Sequence, residues 1–261
     1  MRVALAQFAA SAEPADNLVH VEAFAADAAD QGAELIVFPE AAMCSFSRPR
    51  ADAAEPFDGS WANAVRALAH RLGVTIVAGM FTTTGTPLVR NTLLVTGGVE
   101  ERYDKIHLFD ALGYTESAQV EPGDRAVTFT LGDATVGLAT CYDVRFPALF
   151  TALAQRGAQL VLLPSSWAPG PGKLHQWRTL VTARAMDSTS FVVAVDQSVA
   201  PAVDHGRAPT GIGHSLVVDP SGQVLLELGE LDEVTVVDLD LGVVADQRER
   251  LPVLRHGREF A

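Results

Sequence analysis

Apolar residues recur along the chain with two different periods, and each period predicts one kind of element. Short runs of consecutive or alternating apolar residues are typical of strands, whereas apolar residues three or four positions apart are typical of amphipathic helices. The first pattern predicts strands at 3–8, 34–38, 74–78, 160–163, 191–195 and 234–239. The second pattern predicts helices at 17–30, 60–72, 147–156, 174–187 and 243–250.

Turn residues between short apolar runs predict three hairpins. The turns are Gly97-Gly98, Gly132-Asp133 and the segment 219–222. The strands that they join are 91–96 with 99–103, 127–131 with 135–139, and 216–218 with 224–228. Because these hairpins interrupt the alternation of strands and helices, the sequence predicts mixed sheets covered by helices. Periodicity alone is compatible with one doubly wound sheet and with two packed sheets. The lack of repeats and linkers predicts a single domain over 1–261.

Two residues mark the expected ends of the second helix. The hydroxyl of Ser60 is suited to accept a hydrogen bond from the first free N–H groups, so Ser60 is predicted to cap the helix. Gly73 can adopt the left-handed conformation with which many helices end. The helix is therefore expected to lie between these two residues.

The composition limits the class of protein. The chain has 261 residues, of which 48% are hydrophobic, and a formal net charge of −13. This content is enough to bury a large core, and the acidic surface disfavours nucleic acid and anionic membranes as partners. No apolar stretch reaches the roughly 18 residues of a membrane span, and residues 1–8 are typical of a strand rather than a signal peptide. The two cysteines are expected to be reduced thiols in a cytoplasmic protein.

Three reactive side chains follow predicted strands. Glu40, Lys105 and Cys141 each come directly or soon after an apolar run. Active sites of α/β proteins gather beyond the carboxyl ends of strands, so these side chains are expected to meet. A thiol supplies a nucleophile, a carboxylate can take and return its proton, and an ammonium can stabilise an oxyanion beside the backbone N–H of Tyr142. The set predicts a hydrolase that cuts carbon–nitrogen bonds.

Each of these residues also has a structural interpretation. Glu40 can cap a turn, Lys105 can lie on the surface, and Cys141 can be an inert buried thiol. Cys44 has no base among its sequence neighbours and is predicted to be structural. His107 can in principle pair with Cys141, but packing or hydrogen bonding near the site is the favoured interpretation. The histidine spacing does not predict a metal site.

Three strings carry a family resemblance, in this chain order: VFPE at 37–40, YDKIHLF at 103–109 and CYDVRFP at 141–147. They resemble the three signatures of the nitrilase superfamily, and the likeness extends through almost the whole chain. The resemblance implies a four-layer α-β-β-α sandwich, in which two mixed sheets are covered by helices. It also implies a catalytic triad of Glu40, Lys105 and Cys141, and neither a metal nor an organic cofactor.

The same resemblance implies further roles. Members of the family often have a second glutamate in the site, which is matched here by Glu116 and would orient the lysine or the substrate. By analogy with the family, the chain is expected to form a homodimer or a higher homo-oligomer. The region after Cys141 and the tail from Leu251 are the expected contacts.

The nucleophile string distinguishes branches of the family. Nitrilases proper usually carry Cys-Trp-Glu, whereas Cys-Tyr-Asp at 141–143, followed by Arg-Phe-Pro, resembles the Nit-type amidases. These include ω-amidases and deaminated-glutathione amidases. The resemblance implies a small carboxylate-bearing amide as substrate, hydrolysed to the acid and ammonia through a cysteine thioester.

Arg145 and Trp177 are the candidate substrate-binding residues. The guanidinium of Arg145 can bind a carboxylate through two hydrogen bonds, and the alternative is a salt bridge to Asp143 or another acid. Trp177 matches a tryptophan that the family often has near the pocket, although the preceding histidine is displaced by one residue. The loop 199–211 is also expected to line the pocket. Two other functions stay open, an N-carbamoyl amino acid hydrolase and a non-catalytic binding protein on the same fold.

Overall fold

The computed structural model describes residues 1–199 and 208–258. Its strands are β1 (Arg2–Gln7), β2 (Leu35–Val37), β3 (Thr75–Thr83), β4 (Val89–Thr96), β5 (Glu101–Asp104), β6 (Asp110–Ala111), β7 (Tyr114–Thr115), β8 (Thr128–Leu131), β9 (Ala134–Leu138), β10 (Leu160–Ser165), β11 (Phe191–Asp196), β12 (Leu216–Val218), β13 (Val224–Glu227) and β14 (Glu233–Asp238). Its helices are α1 (Pro14–Asp30), α2 (Ser60–Leu72), α3 (Pro147–Gln155), α4 (Lys173–Ser188), α5 (Val243–Arg250) and α6 (Val253–His256). Within these two ranges, no helix combines the length and the apolar character needed to cross a membrane.

The strands form two six-stranded sheets and one two-stranded sheet. The first large sheet has the order β14-β1-β2-β3-β4-β5, and the second has the order β13-β12-β11-β10-β9-β8. The central strands β1 to β3 and β9 to β11 are parallel to their neighbours within each group. The outer strands pair antiparallel. Both large sheets are therefore mixed, as the hairpins in the sequence predicted.

Alternate residues of a strand point to opposite faces of its sheet, and this alternation builds the layers. In β1, Val3 and Leu5 join an apolar cluster shared by both large sheets, whereas Ala4 joins the cluster under α1 and α2. In β10, Leu162 joins the shared cluster and Val161 joins the cluster under α3 and α4. The layers are therefore helix, sheet, sheet and helix, which confirms the predicted α-β-β-α sandwich.

The three predicted hairpins are confirmed, and the sequence missed a longer one. β4 pairs with β5, β8 with β9, and β12 with β13, each antiparallel across the predicted turn. β3 continues past residue 78 to Thr83 and pairs with all of β4. The extension was hidden because Gly79 interrupts its apolar run and two threonines end it. Thr82 is nevertheless buried. Its polar hydroxyl tolerates burial because it hydrogen-bonds to the hydroxyl of Thr92 across the strand pair, at 2.7 Å. The short helix α6 was also missed.

The prediction that Ser60 caps α2 is wrong. The capping position belongs to Gly59, and Ser60 is the first residue of the helix. The carboxylate of Glu55 takes the capping role, because it accepts the N–H groups of Trp61 at 3.1 Å and Ala62 at 2.8 Å. The hydroxyl of Ser60 donates to the same carboxylate at 3.1 Å. At the other end, Gly73 is left-handed as predicted, with φ +68°.

Glu55→Ala is expected to lower the free energy of unfolding by about 1–2 kcal/mol, because two N–H groups of α2 lose their acceptor. Urea denaturation of the variant and the wild type measures this difference. The matched control is Glu22→Ala on α1, where an exposed carboxylate lies 3.7 Å from Arg71. Surface pairs of that kind contribute about 0–1 kcal/mol. Equal losses in the two variants would contradict the capping role.

Candidate active site

The carboxyl ends of three strands meet at one cavity. Glu40 follows β2, Lys105 directly follows β5 and Cys141 follows β9, so the structure brings the three predicted residues together. The cavity encloses about 370 Å³, including the part open to solvent. The lining residues are Glu40, Phe46, Lys105, Phe109, Tyr114, Glu116, Cys141, Tyr142, Arg145, Ser166, Trp167, Ala168, Lys173 and Pro209.

Lys105 lies between two buried carboxylates. Its Nζ is 2.9 Å from Glu40 Oε1 and 2.9 Å from Glu116 Oε2. The side-chain amide of Asn91 also donates to both, at 2.7 Å to Glu40 and 3.1 Å to Glu116. All four side chains belong to residues that are at most 2% exposed. Because water does not compete for these hydrogen bonds, the cluster is held in one geometry.

This cluster keeps one positive and two negative charges out of water. Burial alone would lower the pKa of Lys105, but Glu116 and Glu40 raise it well above its ordinary value. Burial raises the pKa of Glu40, and the charge of Lys105 offsets only part of that effect. Burial alone would also raise the pKa of Glu116, but Lys105 and the N–H of Phe109 bring this pKa below its ordinary value. Glu116 is therefore the fixed anion and Glu40 the better proton acceptor.

Glu40 is held by groups from both sheets. The N–H of Ser166, just after β10, donates to Glu40 Oε2 at 2.9 Å, and the side chain of Gln197 donates to its carbonyl oxygen at 2.8 Å. The next residue, Ala41, has φ +58°, a left-handed conformation that is strained for a residue other than glycine. This bend brings the backbone against Gly79 of β3, where a side chain would not fit.

Gly79→Ala is expected to lower kcat by about 10- to 100-fold, because a displacement of the order of 1 Å at a catalytic group has an effect of that size. The added Cβ would lie 2.5 Å from the Ala41 nitrogen and 2.8 Å from Glu40 Cα. Both are backbone atoms, so they cannot move away without moving the carboxylate. Steady-state kinetics beside the control Gly229→Ala, whose Cβ would meet nothing within 4 Å, measures the effect. Equal kcat values for the two variants would contradict it.

Cys141 sits at a strained turn between β9 and the 3₁₀ helix Cys141–Arg145. Its φ of +46° is unusual for a residue with a side chain, and such strain is typical of functional sites. Asp143 stabilises the turn, because its Oδ2 accepts the N–H of Thr140 at 2.8 Å. Burial and then the charge of Glu40 raise the pKa of the Cys141 thiol well above its ordinary value. The thiol is therefore protonated at rest and needs a base.

Asp143 also fixes the position of the His107 side chain. The Nδ1 of His107 lies 2.7 Å from Asp143 Oδ1, and its ring stacks on Phe146 with 3.6 Å between centroids. The hydroxyl of Tyr103 donates to the other oxygen of Asp143 at 2.6 Å. His107 thus packs and hydrogen-bonds beside the site, which is the interpretation that the sequence favoured. The salt bridge considered between Arg145 and Asp143 is not formed.

The two candidate substrate-binding residues have different positions. Arg145 lines the cavity, donates to Gln176 Oε1 at 2.8 Å and lies 5.2 Å from the ring centroid of Trp167. Trp177 is fully buried, and its indole N–H donates to the carbonyl oxygen of His214 at 2.8 Å. Its ring is 5.3 Å from that of Trp167. Trp167 therefore forms part of the cavity wall. Trp177 does not line the cavity but packs against Trp167.

Part of the predicted pocket loop lies outside the described residues. Of the loop 199–211, residues 200–207 are not described, whereas Pro209 lines the cavity. The carbonyl oxygen of Pro209 also accepts the hydroxyl of Ser166 at 3.0 Å. The described end of the loop is therefore tied to the residue whose N–H holds Glu40.

Asn91, Ser166, Trp167 and Lys173 are among the residues of the site that sequence reasoning missed. Two of them had a signal. Asn91 is an amide at the start of an apolar strand, and Lys173 is one of only two lysines in the chain, with Lys105. Ser166 contributes a backbone N–H to the glutamate, and a backbone group leaves no mark in the sequence.

The second cysteine takes no part in this site. Both cysteines are free, and the Cys44 thiol donates to the carbonyl oxygen of Ala12 at 3.3 Å. Burial raises the pKa of Cys44 to about 11, so its reactive thiolate is scarce at neutral pH. This position agrees with the structural role predicted for it. In residues 1–199 and 208–258, no group of three or more His, Cys, Asp or Glu side chains is arranged to hold a metal ion.

Comparison with known proteins decides the family. A model of the carbon-nitrogen hydrolase family matches residues 2–249. The chain belongs to the carbon–nitrogen hydrolase family. A hydrolase of Mycobacterium tuberculosis is 47% identical to this carbon–nitrogen hydrolase, covering 100% of the chain and 96% of its relative. The omega-amidase NIT2 of Mus musculus is 33% identical, covering 98% and 95%. The deaminated glutathione amidase of Escherichia coli O157:H7 is 32% identical, covering 100% and 98%.

These relatives place the carbon–nitrogen hydrolase in the Nit-type branch of the nitrilase superfamily, as its motifs predicted. Solved structures agree. Nit3 of Saccharomyces cerevisiae, from branch 10 of the superfamily, matches with a TM-score of 0.85 at 27% identity, covering 97% of this chain and 94% of that one. An amidase from Nesterenkonia matches with a TM-score of 0.80 at 28% identity, covering 97% and 98%. That structure is of a glutamate-to-glutamine mutant of the amidase, in which acrylamide has undergone Michael addition at the active-site cysteine.

Proposed function

We propose that this carbon–nitrogen hydrolase is an amidase that converts a small carboxylate-bearing amide into the acid and ammonia. The observation that carries the proposal is the placing of the Cys141 thiol, the Glu40 carboxylate and the Lys105 ammonium around one small cavity. The relatives named omega-amidase and deaminated glutathione amidase support an amide as the substrate.

In the first half of the reaction, Glu40 accepts the thiol proton as the sulfur of Cys141 attacks the amide carbon. A carbon–sulfur bond forms, and an electron pair of the carbonyl moves to its oxygen. The Lys105 ammonium and the N–H of Tyr142 stabilise this oxyanion. When the electron pair returns, the carbon–nitrogen bond breaks. The proton held by Glu40 passes to the departing ammonia, and a thioester remains on Cys141.

In the second half, water replaces ammonia. Glu40, ionised again, accepts a proton from water as the water oxygen attacks the thioester carbon. The carbon–sulfur bond then breaks, the acid leaves, and the sulfur recovers the proton from Glu40. Glu116 stays ionised and holds the Lys105 ammonium at 2.9 Å, so it orients the oxyanion donor without exchanging protons.

Arg145 is proposed to bind the substrate carboxylate. In the described part of the chain its guanidinium forms no salt bridge, and its side-chain hydrogen bond goes to the neutral amide of Gln176. A bidentate pair with a carboxylate would therefore supply the missing counter-charge. The same feature supports the second candidate function, because an N-carbamoyl amino acid also carries a carboxylate.

Product analysis over a substrate panel tests the proposal. The panel contains α-ketoglutaramate, α-ketosuccinamate, deaminated glutathione and N-carbamoyl amino acids. An acid with ammonia or an amine, and without carbon dioxide, supports the amidase. Carbon dioxide released with ammonia identifies the carbamoyl amino acid hydrolase. If no compound of the panel is turned over and acrylamide does not modify Cys141, the result would favour a non-catalytic binding protein.

In the pH profile of kcat/KM, the acidic limb is expected at a pH above the ordinary pKa range of carboxyl groups. The reason is that Glu40 must be ionised to act as a base and that burial raises its pKa. The charge of Glu116 raises the pKa of Glu40 as well. Activity is gained as the pH rises through this pKa, so Glu116→Gln is expected to move the acidic limb to lower pH. Profiles from about pH 4 to 9 for the wild type, Glu116→Gln and the exposed control Glu22→Gln measure the shift. An unmoved limb in Glu116→Gln would show that Glu40 does not control it.

We further propose that the protein works as a homodimer of single-domain chains in the cytoplasm. The tail carries exposed apolar side chains, with Leu251 50% and Val253 37% exposed, and contact with a second copy would cover them. Light scattering at micromolar concentration is expected to give the mass of two chains. The mass of one chain would count against the dimer.

A further inference from the structure

The chain contains 17 arginines but only two lysines, and both lysines line the same cavity. Lys105 is explained by its ion pairs. Lys173, in contrast, forms no salt bridge with any described residue, although it is only 9% exposed. Its Nζ lies 5.5 Å from the ring centroid of Trp167 and 5.9 Å from that of Phe109. The side chain is largely buried and its ammonium has no counter-charge among the described residues, so its presence in a reactive cavity points to an anionic ligand.

The position of Lys173 is unfavourable for the protein on its own. It is the first residue of α4, where the helix dipole disfavours positive charge, and the first turn of this helix holds no acidic residue. Burial lowers the pKa of Lys173, and the charge of Arg145 lowers it further. Local rules broken in this way are typical of functional sites, because the ligand restores the balance.

Arg145 and Lys173 lie together where the cavity opens outward. Both cations approach the ring of Trp167, at 5.2 Å for Arg145 Cζ and 5.5 Å for Lys173 Nζ. Both also line an outer groove, which shares Phe109 and Tyr142 with the cavity. The indole N–H of Trp167 donates to the carbonyl oxygen of Lys173 at 3.1 Å, which ties the ring to the start of α4. The two positive charges therefore flank the junction of cavity and groove.

We propose that Lys173 is a specificity-determining residue that, with Arg145, binds the carboxylate of the substrate at this junction. The inference deepens the proposed amidase function and rests on it. The planar fork of Arg145 suits both oxygens of a carboxylate, and the ammonium of Lys173 adds a point charge beside it. The preferred substrates are therefore short amides with a carboxylate at the end opposite the scissile amide. Neutral amides of the same length are poor substrates.

Succinamate and butyramide test the inference, since they share a chain length and differ in a carboxylate against a methyl group. The wild type is expected to prefer succinamate in kcat/KM. Lys173→Met keeps the apolar stem and removes the charge, and it is expected to reduce this preference by about 10- to 100-fold, chiefly through the KM for succinamate. Lys173→Arg is expected to recover part of the preference. The control Arg178→Gln lies on the same helix but outside the cavity, where Arg178 pairs with Glu227 at 2.6 Å.

The outcomes separate this inference from the proposed function. An unchanged preference in Lys173→Met, or equal losses on both amides, would overturn the role of Lys173. Absence of turnover on both amides in the wild type would instead contradict the amidase proposal.

Calorimetry with succinate decides the role of Lys173 without any turnover. Lys173→Met is expected to weaken succinate binding by about 10-fold or more, while Arg178→Gln leaves it unchanged. Neutral succinamide is expected to bind the wild type and Lys173→Met alike. Equal affinity of the wild type and Lys173→Met for succinate, or no binding by the wild type, would overturn the inference.

Discussion

Cys141→Ala is expected to reduce amide turnover by about 10⁴-fold or more, because the thioester forms on its sulfur and the other catalytic groups act through that step. The fold is expected to survive the substitution. The sulfur makes one long hydrogen bond, 3.6 Å to the carbonyl oxygen of Ser166, and alanine fits the same space. Ammonia release from the best substrate of the panel measures the loss, and circular dichroism checks the fold.

Cys44→Ala is the matched control for this result. It removes the other thiol of the chain, which is buried and whose pKa is raised to about 11, and it is expected to keep full turnover. Acrylamide, which has added to the active-site cysteine in a glutamate-to-glutamine mutant of the Nesterenkonia amidase, is expected to modify Cys141 and to spare Cys44. Wild-type turnover by Cys141→Ala would remove Cys141 from the role of nucleophile.

The positions of the three central residues could be read from the sequence because each lies in a contiguous string. Glu40, Lys105 and Cys141 follow their strands within a few residues, and active sites of α/β proteins gather beyond the carboxyl ends of strands. Two of these strands belong to the first large sheet and one to the second. The arrangement of the sheets is different. β14 lies beside β1 although more than 200 residues separate them in the chain, and no local pattern encodes that pairing. Periodicity therefore predicted mixed sheets, and only the family resemblance predicted the sandwich.

The contacts that complete the site could not be predicted, because they join segments that are distant in the chain. The N–H of Ser166 reaches Glu40 from the other sheet, across 126 positions of sequence. Asn91 reaches the same carboxylate because β4 also pairs with β3, which the sequence did not show. Trp177 illustrates the opposite case. Its motif marked the correct helix, but packing placed Trp167 at the cavity and Trp177 behind it.

The capping of α2 shows how a tertiary contact overrides a local preference. Ser60 has the residue type of a helix cap, and the sequence offered no reason to look elsewhere. The chain before the helix folds back so that the carboxylate of Glu55 reaches the N–H groups first. A charged acceptor forms stronger hydrogen bonds than a hydroxyl, so Ser60 becomes a donor to that carboxylate.

Lys105→Met is expected to reduce both stability and turnover. The substitution leaves Glu40 and Glu116 buried together without their counter-charge, and breaking a buried pair in this way costs about 3–5 kcal/mol. It also removes a proposed oxyanion donor, which lowers kcat by about 100- to 1000-fold. Urea denaturation measures the first effect and steady-state kinetics the second. If Lys105→Met does not fold, its effect on kcat cannot be measured, so a second variant is needed.

The double variant Lys105→Met/Glu116→Gln separates the two effects. In the wild type the three side chains carry one positive and two negative charges, and the double variant restores the same net charge of −1 by removing one of each. The free energy of unfolding is therefore expected to recover in part, because Glu40 no longer faces a second buried anion. Turnover is expected to stay low, since no ammonium is present to stabilise the oxyanion. Recovery of turnover together with stability would show that Lys105 serves the fold and not the reaction.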